Sequence, residues 1–142
     1  MDRLFLDANV IFTAAHNSEG KVAFLFAHAA STGTASSNLP WALLSSAYAI
    51  EEARRNIAVK YPRAVAAFEG LLPRLAVVPE PASARLSLPL PAKDQPIWSA
   101  ALASGATHFL IDDLRDFGPH VNRRDASGGV LIQSVADYLA GL

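Results

Sequence analysis

An α/β fold, with a mostly parallel sheet covered by helices on both faces, is predicted by three features of the sequence. Short apolar runs of strand length alternate with longer helical stretches, the pattern that builds parallel strands joined by helical crossovers of one hand. The first of these runs, Leu4-Phe5-Leu6, has no polar alternation and reads as a strand buried on both faces. It stops abruptly at Asp7, and a late run stops in the same way at Asp112-Asp113. In a parallel sheet all strand carboxyl ends lie along one edge, which is where such folds bind ligands.

Taken in order, residues 10–15 read as a short helical turn after the first strand, and Asn17-Ser18-Glu19-Gly20 as a polar break. Residues 21–31 are apolar and alanine-rich enough for a buried helix, closed by Thr32-Gly33-Thr34. A polar segment through Asn38 leads to a second strand at 41–44. Ser45 or Ser46 then serves as N-cap for a helix over 47–60, in which Ala47, Ile50, Arg54 and Ile57 or Ala58 follow helical spacing. Pro62 starts a further helix to about Leu72, and Pro73 ends it before a third strand at 75–78. Four prolines mark 79–91 as a loop, with a short helical turn around 82–86. Asp94-Gln95-Pro96 places an acid at the N-cap and a proline in the first turn of a helix over 97–103, which Gly105 closes. A fourth strand is predicted at 107–111, a turn at 114–119, a polar loop at 122–129, a last strand at 130–132 and a closing helix at 134–142.

With 142 residues, 51% of them hydrophobic, the chain suits one domain spanning 1–142 with a full core. A formal net charge of -1 excludes a globally basic nucleic-acid coat but not a local basic strip beside an acidic pocket. There is no cysteine, hence no disulfide framework, thiolate zinc site or cysteine nucleophile; this suits a reducing, cytoplasmic compartment. Any metal must be held by oxygen or imidazole, and His16, His28, His108 and His120 show no metal-ligand spacing. Asp2 and Arg3 are followed by only three apolar residues before Asp7, so no secretory signal is expected, and no later apolar stretch reaches the roughly 20 residues a spanning helix needs. Trp41 and Trp98 sit in apolar contexts and are expected in the core.

Four acids stand out by position: Asp7 after the first strand, Glu52 in the helix after the second, Asp94 at the start of the late helix and Asp113 after the fourth strand. Each has a plain structural alternative. Asp7 and Asp94 suit helix caps, Glu52 suits a solvated helix face, and Asp113 suits a turn. Their joint placement carries the argument. Two like charges about 4 Å apart repel by roughly 4 kcal/mol at an effective dielectric near 20. If three or four carboxylates converge, a divalent cation must sit among them, and an all-oxygen site favours Mg²⁺ or Mn²⁺ over zinc. Such an ion activates water and stabilises the leaving oxygen of a phosphodiester, so metal-dependent hydrolysis of nucleic acid is the expected reaction.

Four segments in order carry a resemblance to the successive motifs of a PIN domain: Leu4-Phe5-Leu6-Asp7-Ala8-Asn9-Val10-Ile11, Glu51-Glu52-Ala53-Arg54-Arg55-Asn56-Ile57, Asp94-Gln95-Pro96-Ile97 through Ala100-Ala101-Leu102, and Leu110-Ile111-Asp112-Asp113-Leu114-Arg115-Asp116-Phe117-Gly118. The resemblance spans nearly the whole chain. It implies a three-layer α/β/α sandwich with a mostly parallel, Rossmann-like central sheet and a Mg²⁺ or Mn²⁺ endoribonuclease site. Many members of this size are VapC-type toxins that form homodimers and are silenced by a small antitoxin protein. Carried over by position, Asp7 matches the first acid, Asp94 the third and Asp113 the fourth, these three being the metal ligands, with Asn9 where a small polar residue often stands. The second acid is Glu52 by its interval to Ile57, with Glu51 beside it but roughly 100° round the helix. Asp112 and Asp116 are secondary candidates. Ile111 departs from the pattern, because the family commonly has Thr or Ser two residues before the fourth acid.

For the RNA substrate, Arg54, Arg55, Lys93, Arg115, Arg123 and Arg124 supply local phosphate contacts around the acidic mouth, or else serve as ordinary surface charges. A haloacid dehalogenase-type phosphatase needs a second Asp where Asn9 stands, and a receiver-like domain needs an acceptor Asp where the third strand runs into Pro79-Glu80. Both fit poorly. The serious rival is a PIN-like module that binds RNA or protein through a degraded, non-catalytic site, and Ile111 is the residue that speaks for it.

Overall fold

The computed structural model describes residues 2–29, 41–79, 95–112 and 129–142. Strand β1 (Asp2–Leu6) leads directly into helix α1 (Ala8–His16), and after the polar break comes α2 (Lys21–Ala27). Then follow β2 (Trp41–Ser46), α3 (Ala47–Lys60), α4 (Val65–Leu71) and β3 (Leu75–Val78). The later described elements are α5 (Gln95–Ala103), β4 (His108–Ile111), β5 (Leu131–Ser134) and α6 (Val135–Ala140). All but the first residue of the loop predicted over 79–91, the turn at 114–119 and most of the polar loop at 122–129 lie outside the described residues.

The five strands form one sheet in the order β3-β2-β1-β4-β5, and every neighbouring pair is parallel. β1 is therefore central. Leu4, Phe5 and Leu6 are fully buried, as three large apolar residues in succession require of a strand covered on both faces. The chain steps from β1 to β2 to β3 in one direction and returns through α5 to β4 on the other side of β1. Right-handed crossovers put α1 to α4 on one face and α5 on the opposite one. Packing agrees with this: α1 touches α2, α3 and α4, while Trp98 of α5 meets Phe109 edge-on, and Phe109 stacks on its cross-strand partner Phe5. The result is the expected α/β/α sandwich, with both tryptophans in its core.

Local chemistry explains most boundaries. Of the two serines offered as caps for α3, Ser46 is the one used, its hydroxyl accepting from the Ala49 N–H at 3.2 Å. Ser134 caps α6 in the same way through the Asp137 N–H. Gly105 follows α5 with φ +73, a left-handed conformation that costs glycine no steric strain. Other boundaries moved. The helix expected over 21–31 ends at Ala27, and the one expected from Pro62 to Leu72 is split into a 3-10 turn (Pro62–Ala64), α4 and a second 3-10 turn (Leu72–Arg74). Pro62 and Pro73 each stand near the start of one of those turns, where a missing N–H costs least.

The far end of the sheet carries a titratable lock. The Tyr138 hydroxyl donates to Asp2 Oδ2 at 2.7 Å, and its ring meets Trp41 and His108 edge-on. Burial first, and then the adjacent Asp2 carboxylate, push the phenol well above its ordinary value of 10. The unfolded chain ionises this tyrosine before the folded one does, so its contribution to stability is intact below pH 10 and is lost as pH rises further. Alkaline titration followed by phenolate absorbance is expected to show one phenol that ionises only with unfolding. Tyr138→Phe should remove that phase and make the alkaline loss of stability shallower.

Candidate active site at the carboxyl edge of the sheet

Asp7 is the first residue beyond β1, and its backbone N–H donates to the Leu110 carbonyl of β4 at 3.2 Å. Leu6 pairs with Leu110, so Asp7 stands level with Ile111, and Asp112 is one residue further along the neighbouring strand. β1 and β4 are the adjacent strands from which the chain departs in opposite directions. This is the topological switch point of the sheet, the place at which folds of this class form their ligand crevice. An approach of Asp7 and Asp113 requires that β1 and β4 be neighbours; the strands are neighbours, and Asp113 itself lies outside the described residues.

The capping alternative for Asp7 holds only for its backbone. Its φ of -66° and ψ of 159° are those of an N-cap residue, and its carbonyl accepts the first helical bonds, but its side chain makes no capping hydrogen bond to α1. Asp7 is half-buried, while Asn9, on the first turn of α1, is exposed. Two buried serines flank the β1 end from β2. The Ser45 hydroxyl donates to the Leu6 carbonyl at 3.0 Å, fixing the peptide just before Asp7, and Ser46 is occupied as the cap of α3.

Asp112 is exposed, and its Oδ2 accepts a hydrogen bond from the Thr13 hydroxyl of α1 at 3.0 Å. Ile111 is fully buried, so the position where the PIN pattern has a hydroxyl here feeds the core. Sequence reasoning missed Thr13. Its signal was faint: one polar residue within the apolar run Val10-Ile11-Phe12-Thr13-Ala14-Ala15.

On α3 the two adjacent acids differ. Glu51 is exposed and lies 2.6 Å from Arg54, which also contacts Glu69 of α4 at 3.0 Å. Hydrogen bonds to Glu69 and then to Glu51 raise the Arg54 pKa above its ordinary value. Arg54 thus braces α3 against α4. Glu52 is half-buried and has no ion-pair partner among the described residues, and Arg55 is exposed. α3 also touches α5, the helix that begins one residue after Asp94. Asp94, Asp113, Asp116, Arg115, Lys93, Arg123 and Arg124 lie outside the described residues. Among the described residues no group of three or more His, Cys, Asp or Glu side chains is placed to hold a metal ion. The described residues place Asp7 and Asp112 at the ends of the two neighbouring strands β1 and β4.

With this geometry the chain compares with one solved structure in particular. It superposes on a chain of the crystal structure of VapBC2 from Rickettsia felis bound to a DNA fragment from their promoter, with a TM-score of 0.59 and 12% identity, over 93% of this chain and 98% of that one. The likeness is one of fold. No family model matches the sequence, and no curated protein matches it. Among the described residues no helix is long and apolar enough to cross a membrane.

Proposed function

We propose that this chain is a PIN-type endoribonuclease dependent on Mg²⁺ or Mn²⁺, the toxin of a toxin-antitoxin pair, acting in the cytoplasm as a homodimer and silenced by a small antitoxin. The observation that carries the reading is Asp7, an acid directly after the central strand at the switch point of a parallel sheet. The fold shared with a chain of a VapBC2 complex supports the toxin and antitoxin assignment.

In this reading Asp7, Asp94 and Asp113 hold the cation, with Glu52 completing the acidic set. Glu51 is the poorer choice for the second acid because Arg54 already pairs with it. A cation held by these acids would supply a water of lowered pKa and neutralise charge on the phosphate. Arg55 and Arg115 meet substrate phosphates, and Arg54 contributes chiefly by bracing its helix. The deciding experiment is cleavage of structured and unstructured RNA by the purified protein with Mg²⁺ or Mn²⁺, with a chelator control and Asp94→Asn alongside. Equal activity in all samples marks a contaminant and defeats the proposal. RNA binding without cleavage or Mn²⁺ binding would leave the non-catalytic module, which the buried Ile111 favours.

Thr13 is then a positioning residue: with Asp112 as a further candidate ligand beside Asp113, its hydroxyl holds the Asp112 carboxylate from α1, standing in for the hydroxyl that Ile111 does not provide. Outer-sphere partners of metal sites are worth about 10- to 100-fold in metal affinity or activity. Thr13→Val, nearly the same shape, is expected to raise the Mn²⁺ concentration needed for half-maximal cleavage about tenfold, and Thr13→Ser to restore it. Unchanged Mn²⁺ dependence in Thr13→Val would reduce the contact to a surface hydrogen bond.

A further inference from the structure

At the other end of α1, about 13 Å from Asp7 for nine helical residues, a cavity of about 620 Å³ opens between α1, the end of α3 and the start of α4. Its polar lining is His16, Ser18, Lys60, Tyr61 and Arg63, separated by alanines and a proline, and no acidic side chain lines it. Its volume falls in the range of small-ligand sites. Neither Lys60 nor Arg63 has an ion-pair partner among the described residues, whereas Arg54, one face away, has two. Beside these cations stands an aromatic pile. The His16 and Tyr61 rings are stacked at 4.4 Å and 9°, Phe12 packs against both, and the Lys60 ammonium lies 5.6 Å from the Phe12 ring centroid. Tyr61 is 45% exposed although it is a large apolar ring.

Cations without an ion-pair partner among the described residues beside a partly exposed aromatic stack, in a cavity with no acid in its lining, are complementary to a phosphate joined to a flat heterocycle. We propose that this cavity binds a nucleotide of single-stranded RNA, with the phosphate on Lys60 and Arg63 and the base against the His16–Tyr61 stack. The inference rests on the ribonuclease reading for its choice of ligand, and it makes the cavity a second anchoring point on the substrate, separated from the carboxyl edge by the length of α1. A second copy of the chain fits poorly, because a two-fold contact centred here sets Lys60 and Arg63 against their own counterparts.

The test is binding of a fluorescently labelled, short single-stranded RNA, measured with EDTA present so that no metal-dependent cleavage intervenes. Lys60→Gln with Arg63→Gln is expected to weaken binding about tenfold and to flatten the slope of log affinity against log salt by about 1.4, the share of two phosphates on a single strand. Tyr61→Ala is expected to weaken binding about fivefold or more, with Tyr61→Trp retaining it. Circular dichroism confirms that each variant is folded. Unchanged affinity and slope in the double variant overturn the proposal. So does binding of AMP without RNA, or of a glutamate-rich peptide in place of RNA with the same dependence on the two cations. A wild-type protein that binds but never cleaves sinks the nuclease reading alone, and cleavage with binding indifferent to Lys60 and Arg63 sinks this inference alone.

Discussion

Asp7→Asn is expected to lower RNA cleavage more than about a hundredfold while changing stability by no more than about 0.5 kcal/mol. The two halves of that expectation have separate physical grounds. Outer-sphere residues of a metal site already account for about 10- to 100-fold, and a direct carboxylate ligand removes both a charge and a donor, so its loss must exceed that range. Stability is spared because Asn and Asp are about equal at an N-cap and nearly identical in shape. Single-turnover cleavage with saturating Mn²⁺, beside a denaturant titration of both proteins, measures both. Cleavage reduced only in proportion to a lost folded fraction would return Asp7 to the role of a helix start.

That prediction draws on features the sequence disclosed unevenly. Leu4-Phe5-Leu6 announced a strand covered on both faces because no polar residue alternates with them, and α3 could be placed over Ala47–Lys60 because a serine cap precedes it and Tyr61-Pro62 follows it. Which strand lies beside which is a different kind of fact. The adjacency of β1 and β4 depends on crossovers spanning about a hundred residues, and only it sets the ends of those two strands side by side. The Thr13–Asp112 contact joins residues 99 apart for the same reason. The fate of Arg54 was equally hidden: its spacing sets it with Ala47, Ile50 and Ile57, and only the packing of α4 against α3 delivers Glu69 to it. The end of β5 was missed because Gln133 and Ser134 are polar, yet they pair with Leu110 and Ile111 and carry the strand on into its helix cap.

The largest effect on stability is expected at Phe109, for which Phe109→Ala should cost about 3–5 kcal/mol, against a total of about 5–15 kcal/mol for a domain of ordinary stability. Phe109 is fully buried on β4 with rings on two sides, Phe5 stacked at 5.6 Å and Trp98 edge-on at 5.4 Å. Truncation removes both ring contacts and leaves a cavity between the central strand and α5 that neither neighbour fills without leaving its own packing. Because Trp98 fastens α5 to the sheet, and α5 begins directly after Asp94, the same substitution is expected to depress cleavage even where the protein is fully folded, through a displaced acid. Phe109→Leu, which keeps most of the volume, should cost only about 1–1.5 kcal/mol and preserve cleavage. Urea titration of the three proteins, with cleavage assayed well below each midpoint, separates the two consequences: equal midpoints would mean that this layer is not packed as the ring geometry describes, and a large loss of stability with normal cleavage would uncouple α5 from the acidic edge.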